Sequence, residues 1–148
     1  MRHIIVVIAT SLLFCLSSSC SSSTSCSQEK YYRIEYSTGG GFTGMEKGLT
    51  IECNGWLKNW ERKLNSKKEI LDSLILDSST MQKIDKLMKD SEIFSYKMNN
   101  ISNYTTTLIL SNQEKKNIVT YNSSDVPIDL PKSIKAILIE IEKINNNK

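Results

Sequence analysis

The chain has 148 residues, 39% of them hydrophobic and 24% charged, with 19 basic and 16 acidic side chains. That length suits one ordinary domain with a core, and a formal charge of +3 is too small for bulk attraction to nucleic acid. The only histidine is His3, so the remainder of the chain has no imidazole for a Ser-His dyad, a Cys-His dyad or a histidine metal site.

From Ile4 to Leu16 runs an apolar segment interrupted only by Thr10 and Ser11. A bilayer-spanning helix needs roughly 20 apolar residues, whereas a secretory signal needs about 7 to 15 behind a positive start such as Met1-Arg2. The segment therefore reads as an export signal. It is followed by Ser17-Ser18-Ser19-Cys20, which resembles a bacterial lipoprotein signal, in which small residues precede a cysteine that receives diacylglycerol and becomes the new N-terminus. Cys20 fits that role better than Cys15, which follows bulky Phe14, or Cys26, which lies far beyond the apolar run. The family's leucine three positions before the cysteine is replaced by Ser17, with Leu16 one step further upstream. The alternative is an ordinary secretory cleavage at Ser17-x-Ser19, leaving a soluble exported protein. The expected organisation is a signal over residues 1–19, a serine-rich tether over 20–29 and a single domain over 30–148.

In an exported chain, Cys26 and Cys53 are candidates for a disulfide that ties tether to domain. The other reading makes Cys53 a small buried strand residue and Cys26 a loose tether residue, because spacing alone does not establish disulfide geometry. The sequons at Asn100, Asn103 and Asn122 would matter in a eukaryotic secretory route and are incidental in a bacterium.

Within the domain, Tyr31–Ser37 is rich in aromatic and β-forming residues and stops at Gly39-Gly40-Gly41-Phe42-Thr43-Gly44, a strand running into a glycine loop. Leu49–Cys53 alternates apolar and polar residues and meets Asn54-Gly55, the strongest short-range hairpin signal. A type I′ turn there would pair it with Trp56–Arg62, placing Trp56, Lys58, Trp60 and Arg62 on one strand face. Ile70–Leu76 is apolar and of uncertain type, with strand as one reading. Ser79-Thr80-Met81-Gln82 fits a capping box, and Met81, Ile84, Leu87 and Met88 recur at helical spacing, predicting a helix from Thr80 to Ser91. Asp85 and Lys89 are spaced for a surface ion pair on it.

Tyr104–Ser111 and Asn117–Tyr121 predict a second hairpin. Asp129-Leu130-Pro131 opens a final helix whose apolar stripe is Ile134, Ile137, Leu138, Ile141 and Ile144. Apolar helical stripes need a surface to cover. The expected fold is α+β in two layers, an antiparallel sheet of about five strands packed by two helices.

Few groupings invite chemistry. Gly39-x-Gly41-x-x-Gly44 matches a nucleotide fingerprint in letters, but a strand follows where a phosphate-binding helix should open. The glycines read as a turn between strands or, alternatively, as a loop offering Phe42 and Met45 to a partner. Trp56 and Trp60 with Lys58 and Arg62 could form an aromatic-basic face for carbohydrate or for single-stranded nucleic acid, the latter at odds with an exported location; the other readings are a solvated edge or a weak attraction to anionic membrane surface, with the two tryptophans as partly buried sheet residues. Glu140 and Glu142 lie on different sides of a helix and cannot act as an acid-base pair. No catalytic residue, metal site or small-molecule cofactor is expected, beyond diacylglycerol on Cys20.

The run Ile34 to Gly44 resembles the start of the emfourin-like proteins, small bacterial inhibitors of thermolysin-like zinc proteases, where a first strand enters a Gly-Gly-Phe-Ala-Gly type motif. Gly40, Gly41, Phe42 and Gly44 match, and Thr43 replaces the alanine. The likeness extends in layout over residues 31–144, through a helix ending near Phe94, a Tyr-containing strand pair and a last helix. It implies a non-enzymatic domain whose glycine loop enters a protease cleft and excludes substrate. The strand material from Trp56 to Leu76 and the lipid tether depart from the family pattern.

The reading is of a lipid-anchored envelope protein, at the outer membrane, whose partner is an exported metalloprotease or another envelope protein. The alternative is an accessory or structural lipoprotein without inhibitory activity.

Overall fold

The computed structural model describes residues 26, 31–41 and 43–146. The apolar leader, Cys20, the tether apart from Cys26, and Phe42 lie outside the described residues. In chain order the elements are β1 (Tyr32–Gly40), β2 (Met45–Glu52), β3 (Trp56–Arg62), β4 (Glu69–Ile75), α1 (Ser78–Leu87), α2 (Glu92–Ser95), β5 (Met98–Asn99), β6 (Tyr104–Asn112), β7 (Lys116–Asn122) and α3 (Lys132–Asn146). The strands form one sheet in the order β4-β3-β2-β1-β6-β7-β5. Every neighbouring pair is antiparallel except β5 with β7, which is parallel.

This corrects the expected antiparallel sheet of about five strands under two helices, because the sheet is seven-stranded and mixed and three helices accompany it. Each added element escapes periodicity for a physical reason. β5 has two residues and α2 has four, both too short to show a period. They are held by Asn117, fully buried on β7, whose side-chain amide donates to the carbonyls of Ile93 and Tyr96, each at 2.7 Å. Asn100 N–H then donates to Thr120 O at 2.9 Å, continuing the parallel pairing. β4 is a sheet edge with six of its seven residues exposed, so burial imposes no alternation on it.

Successive strand residues point to opposite faces. The registers put Tyr32, Ile34, Leu49, Ile51, Leu57, Leu108, Leu110 and Val119 on one face, where they share a core with Ile84, Ile93, Ile134, Ile137 and Ile141 of the helices. The stripe of α3 is thus the cover of this face. α1 begins before the predicted capping box, because Asp77 is the N-cap: its carboxylate accepts from the N–H groups of Ser79 and Thr80 at 2.9 and 3.0 Å and from the Thr80 hydroxyl at 2.6 Å. Asp85, expected to face Lys89, receives the buried Tyr32 hydroxyl at 2.5 Å instead.

The β2–β3 connection also differs from expectation. Gly55 has positive φ and its N–H donates to Glu52 O at 2.9 Å, while Asn54 has ordinary φ. The turn is therefore a three-residue connection closed by a left-handed glycine rather than a type I′ turn. The strands it joins still pair antiparallel, but the register moves by one residue, so that Ile51 faces Leu57 and Cys53 falls in the connection.

Candidate functional site

Gly40, Gly41 and Gly44 all belong to the β1–β2 hairpin, with the turn centred on residues 41–44. The sequence continues β1 as far as Gly40, since Gly39 and Gly40 still pair with Glu46 and Met45 on β2 and with Thr105 and Tyr104 on β6. Gly40 has φ of 125°, and a Cβ there would lie 2.2 Å from the carbonyl oxygen of Asn103. Only glycine fits that crossing. The same carbonyl accepts the N–H of Gly41 at 2.5 Å, so the base of the turn is fastened to the start of β6.

The apex differs from the base. Gly41 has φ of 69°, yet a Cβ on it would meet nothing within 4 Å. Gly41 and Thr43 are exposed. Thr43 Oγ1 accepts the Met45 N–H at 3.3 Å, and Gly44 N–H returns to Gly41 O at 3.3 Å. Gly44 sits against Leu64 of the β3–β4 connection, 3.0 Å from its Cβ to the position a new Cβ would take. Beside the turn lies an open cleft of about 470 Å³, with Glu46, Arg62, Lys63, Ser66, Thr105 and Thr107 in its wall. Glu46 is engaged there by Arg62 and by the Ser37 hydroxyl. The turn therefore combines a fixed base, a free apex and a polar flank.

The other grouping singled out from the sequence resolves into two unlike tryptophans. Trp56 is 38% exposed, whereas Trp60 is 2% exposed although, among the described residues, the helices pack on the opposite face. Its indole N–H donates to Thr50 Oγ1 at 3.1 Å. The ring rests on Gly48, where a Cβ would come within 2.7 Å of Trp60 Cζ2, and the Lys68 ammonium lies 4.1 Å from the ring centroid. Lys68 also pairs with Glu35 on β1, and Glu35 pairs with Arg33 at 2.7 Å. Lys58 pairs with Glu52 at 2.7 Å. The aromatic and basic groups here already serve one another, which leaves Trp60 no free ring face for a sugar or base.

Cys26 and Cys53 are joined as a disulfide, with Cα atoms 5.8 Å apart, which fixes residue 26 beside the end of β2. Among the described residues no group of three or more His, Cys, Asp or Glu side chains is placed to hold a metal ion. No helix among them is long and apolar enough to cross a membrane.

Sequence reasoning missed Asn103 and Leu64 as parts of this site. Both are remote from the glycines in sequence and meet them only through the β1–β6 register and the β3–β4 turn, where Asn65 takes positive φ. The one available signal was the polar Asn100–Asn103 stretch before a strand. No protein-family model matches the chain, and no curated protein matches it.

Proposed function

We propose that this is an exported, lipid-anchored envelope protein whose domain binds another protein through the β1–β2 turn and catalyses no reaction. The observation that carries the reading is the contrast within the turn: its base is pinned by Asn103 while its apex has open space around Gly41. A rigid base lowers the ordering cost of docking an exposed loop into a cleft. The partner that agrees with the emfourin-like motif at Gly40, Gly41, Phe42 and Gly44 is an exported thermolysin-like metalloprotease, blocked by exclusion of substrate. Anchoring is through diacylglycerol on Cys20. The Cys26–Cys53 disulfide supports export, since such bonds persist in oxidising compartments.

A second reading has its own support. The close contacts at Gly40 and Gly44 explain those glycines as requirements of the turn, which favours an accessory or structural lipoprotein. Replacing Phe42 by Ala separates the two. Titrating the purified chain against a thermolysin-like protease should give inhibition that Phe42→Ala removes without lowering the melting temperature. Absence of inhibition by the parent chain at micromolar concentration, together with a lowered melting temperature for Phe42→Ala, overturns the contact-loop reading.

A further inference from the structure

The β1–β2 hairpin has two unlike ends. One is the glycine turn at residues 41–44. At the other, β1 begins at Tyr32 and β2 gives way to Cys53, whose N–H donates to Tyr32 O at 3.2 Å. The β6–β7 turn lies at this second end too, since Asn112 pairs with Tyr32 and its N–H donates to Lys115 O at 2.9 Å. The nine residues of β1, at about 3.3 Å of rise per residue, put the two ends roughly 26 Å apart. The disulfide holds residue 26 at the end remote from the glycines, with the Cα atoms of Cys26 and Cys53 5.8 Å apart.

We infer that this disulfide orients the domain on the membrane: it keeps the Cys53 end toward the bilayer and the glycine turn away from it, so that the turn meets a soluble exported partner and not one embedded in the bilayer. The inference rests on acylation of Cys20, proposed above. Chain length supplies the argument. Six residue steps lead from Cys20 to Cys26, and an extended chain covers at most about 3.6 Å per step, so residue 26 lies within about 22 Å of the lipid-bearing residue. With the 5.8 Å between the Cα atoms of the disulfide, the Cys53 end stays within about 28 Å of it. Turning the glycines onto the bilayer would lift the Cys53 end by the length of the hairpin, about 26 Å. That uses nearly the whole reach, in one fully extended arrangement. With the Cys53 end down, a chain of that length has many arrangements, and conformational entropy favours this pose.

Without the bond, the chain first joins the sheet at Tyr32, twelve residue steps from Cys20. The reach then doubles to about 43 Å, well beyond the length of the hairpin, and either end of the domain can come to the bilayer. Backbone pairing already holds Cys53 beside Tyr32. The geometric contribution of the bond is therefore to shorten the chain between lipid and sheet. Reduction returns the longer reach, which makes the orientation dependent on the oxidising compartment in which such bonds persist.

The acylated chain in phosphatidylcholine vesicles that carry a headgroup-linked acceptor dye tests the orientation. Donor dyes are attached through Thr43→Cys at the glycine turn or Lys115→Cys at the opposite end, both exposed positions. In the processed chain each is the only free thiol, once Cys20 is acylated and Cys26 and Cys53 are joined. Energy transfer should be greater from position 115 than from position 43. Inserting six Gly and Ser residues after Ser22 keeps the disulfide and restores the longer reach, so the difference between the two positions should narrow. The double variant Cys26→Ser, Cys53→Ser should narrow it as well. Equal transfer from both positions in the parent chain, greater transfer from position 43, or a difference unchanged by the insertion overturns the proposal. Intact mass separates this from the anchoring itself: a chain without diacylglycerol on Cys20 overturns the anchoring and the orientation together, whereas an acylated chain with the wrong order of transfer overturns the orientation alone.

Discussion

Ile34 and Trp60 lie on opposite faces of the same sheet and are almost equally buried, at 0% and 2% exposure. Ile34 is sealed by the helices, as one member of a continuous apolar core. Trp60 is sealed by side chains that reach across strands: Thr50 takes its N–H, Gly48 supplies the floor and Lys68 closes the top on its way to Glu35. Burial on the open face is therefore built from polar and charged groups arranged around one large ring. The difference teaches that a face on which none of the described helices packs can still contain a buried residue, provided a glycine on the adjacent strand gives the ring room.

The largest expected effect tests whether the two faces contribute alike. Ile34→Ala should cost about 2–5 kcal/mol and Trp60→Ala about 3–5 kcal/mol, the ranges for emptying a well-packed site. Urea denaturation gives both values from the midpoint and slope. A Trp60→Ala loss below about 1 kcal/mol, in the range of ordinary surface substitutions, would break the comparison and return the open face to surface status.

The helix-covered face was the more legible of the two. Alternation in Leu49–Cys53, the β-rich run Tyr104–Ser111 and the stripe Ile134 to Ile144 announce one apolar surface and the helix that covers it, because burial from a single direction writes a period into strand and helix alike. β5 and α2 were not legible, since their positions depend on one buried amide, Asn117, and not on any repeating pattern. The open face was half legible. Trp56, Lys58, Trp60 and Arg62 do share a side, but their alternation does not reveal that Gly48 and Lys68 would enclose one tryptophan and leave the other exposed. At the candidate site the glycines announced a turn, while the carbonyl of Asn103 that demands glycine at position 40 is 63 residues away in the chain.

A second expected effect sharpens the comparison by titration. Burial raises the phenol pKa of Tyr32 well above its ordinary value, and the hydrogen bond to Asp85 and that carboxylate's charge add to the rise. Burial likewise raises Tyr36, and it pushes Tyr121 up from 10.0 to about 12, with Tyr36 adding to the shift. All three sit on the helix-covered face by register. A folded-state pKa above the unfolded one means stability fully present below pH 10 and lost as pH rises through the folded value. Melting temperature should therefore fall from about pH 10 upward, in step with tyrosinate absorbance on unfolding. Tyr32→Phe should reduce the alkaline loss. A loss of equal size in that variant would show that the helix-covered face is not the alkaline-sensitive one.

The smallest expected effect lies at the other end of the pH scale and at the edge of the helical layer. Asp77 caps α1, and its hydrogen bonds from the Thr80 hydroxyl and backbone, with that of Ser79, hold its carboxyl below the ordinary 3.8. Its folded pKa is depressed, so its contribution is present above pH 3.8 and disappears as pH falls through the folded value. The group is fully solvent-exposed, which makes the effect small and sensitive to salt. Asp77→Asn keeps a side-chain oxygen for the N–H groups of Ser79 and Thr80 but has no proton to take up in this range. Melting curves of the two proteins should run parallel near neutrality and converge in acid, with the gap narrowing in high salt. Curves that stay parallel down to about pH 2.5 would mean that the cap works through hydrogen-bond geometry alone, and that neither face of the sheet gains stability from this charge.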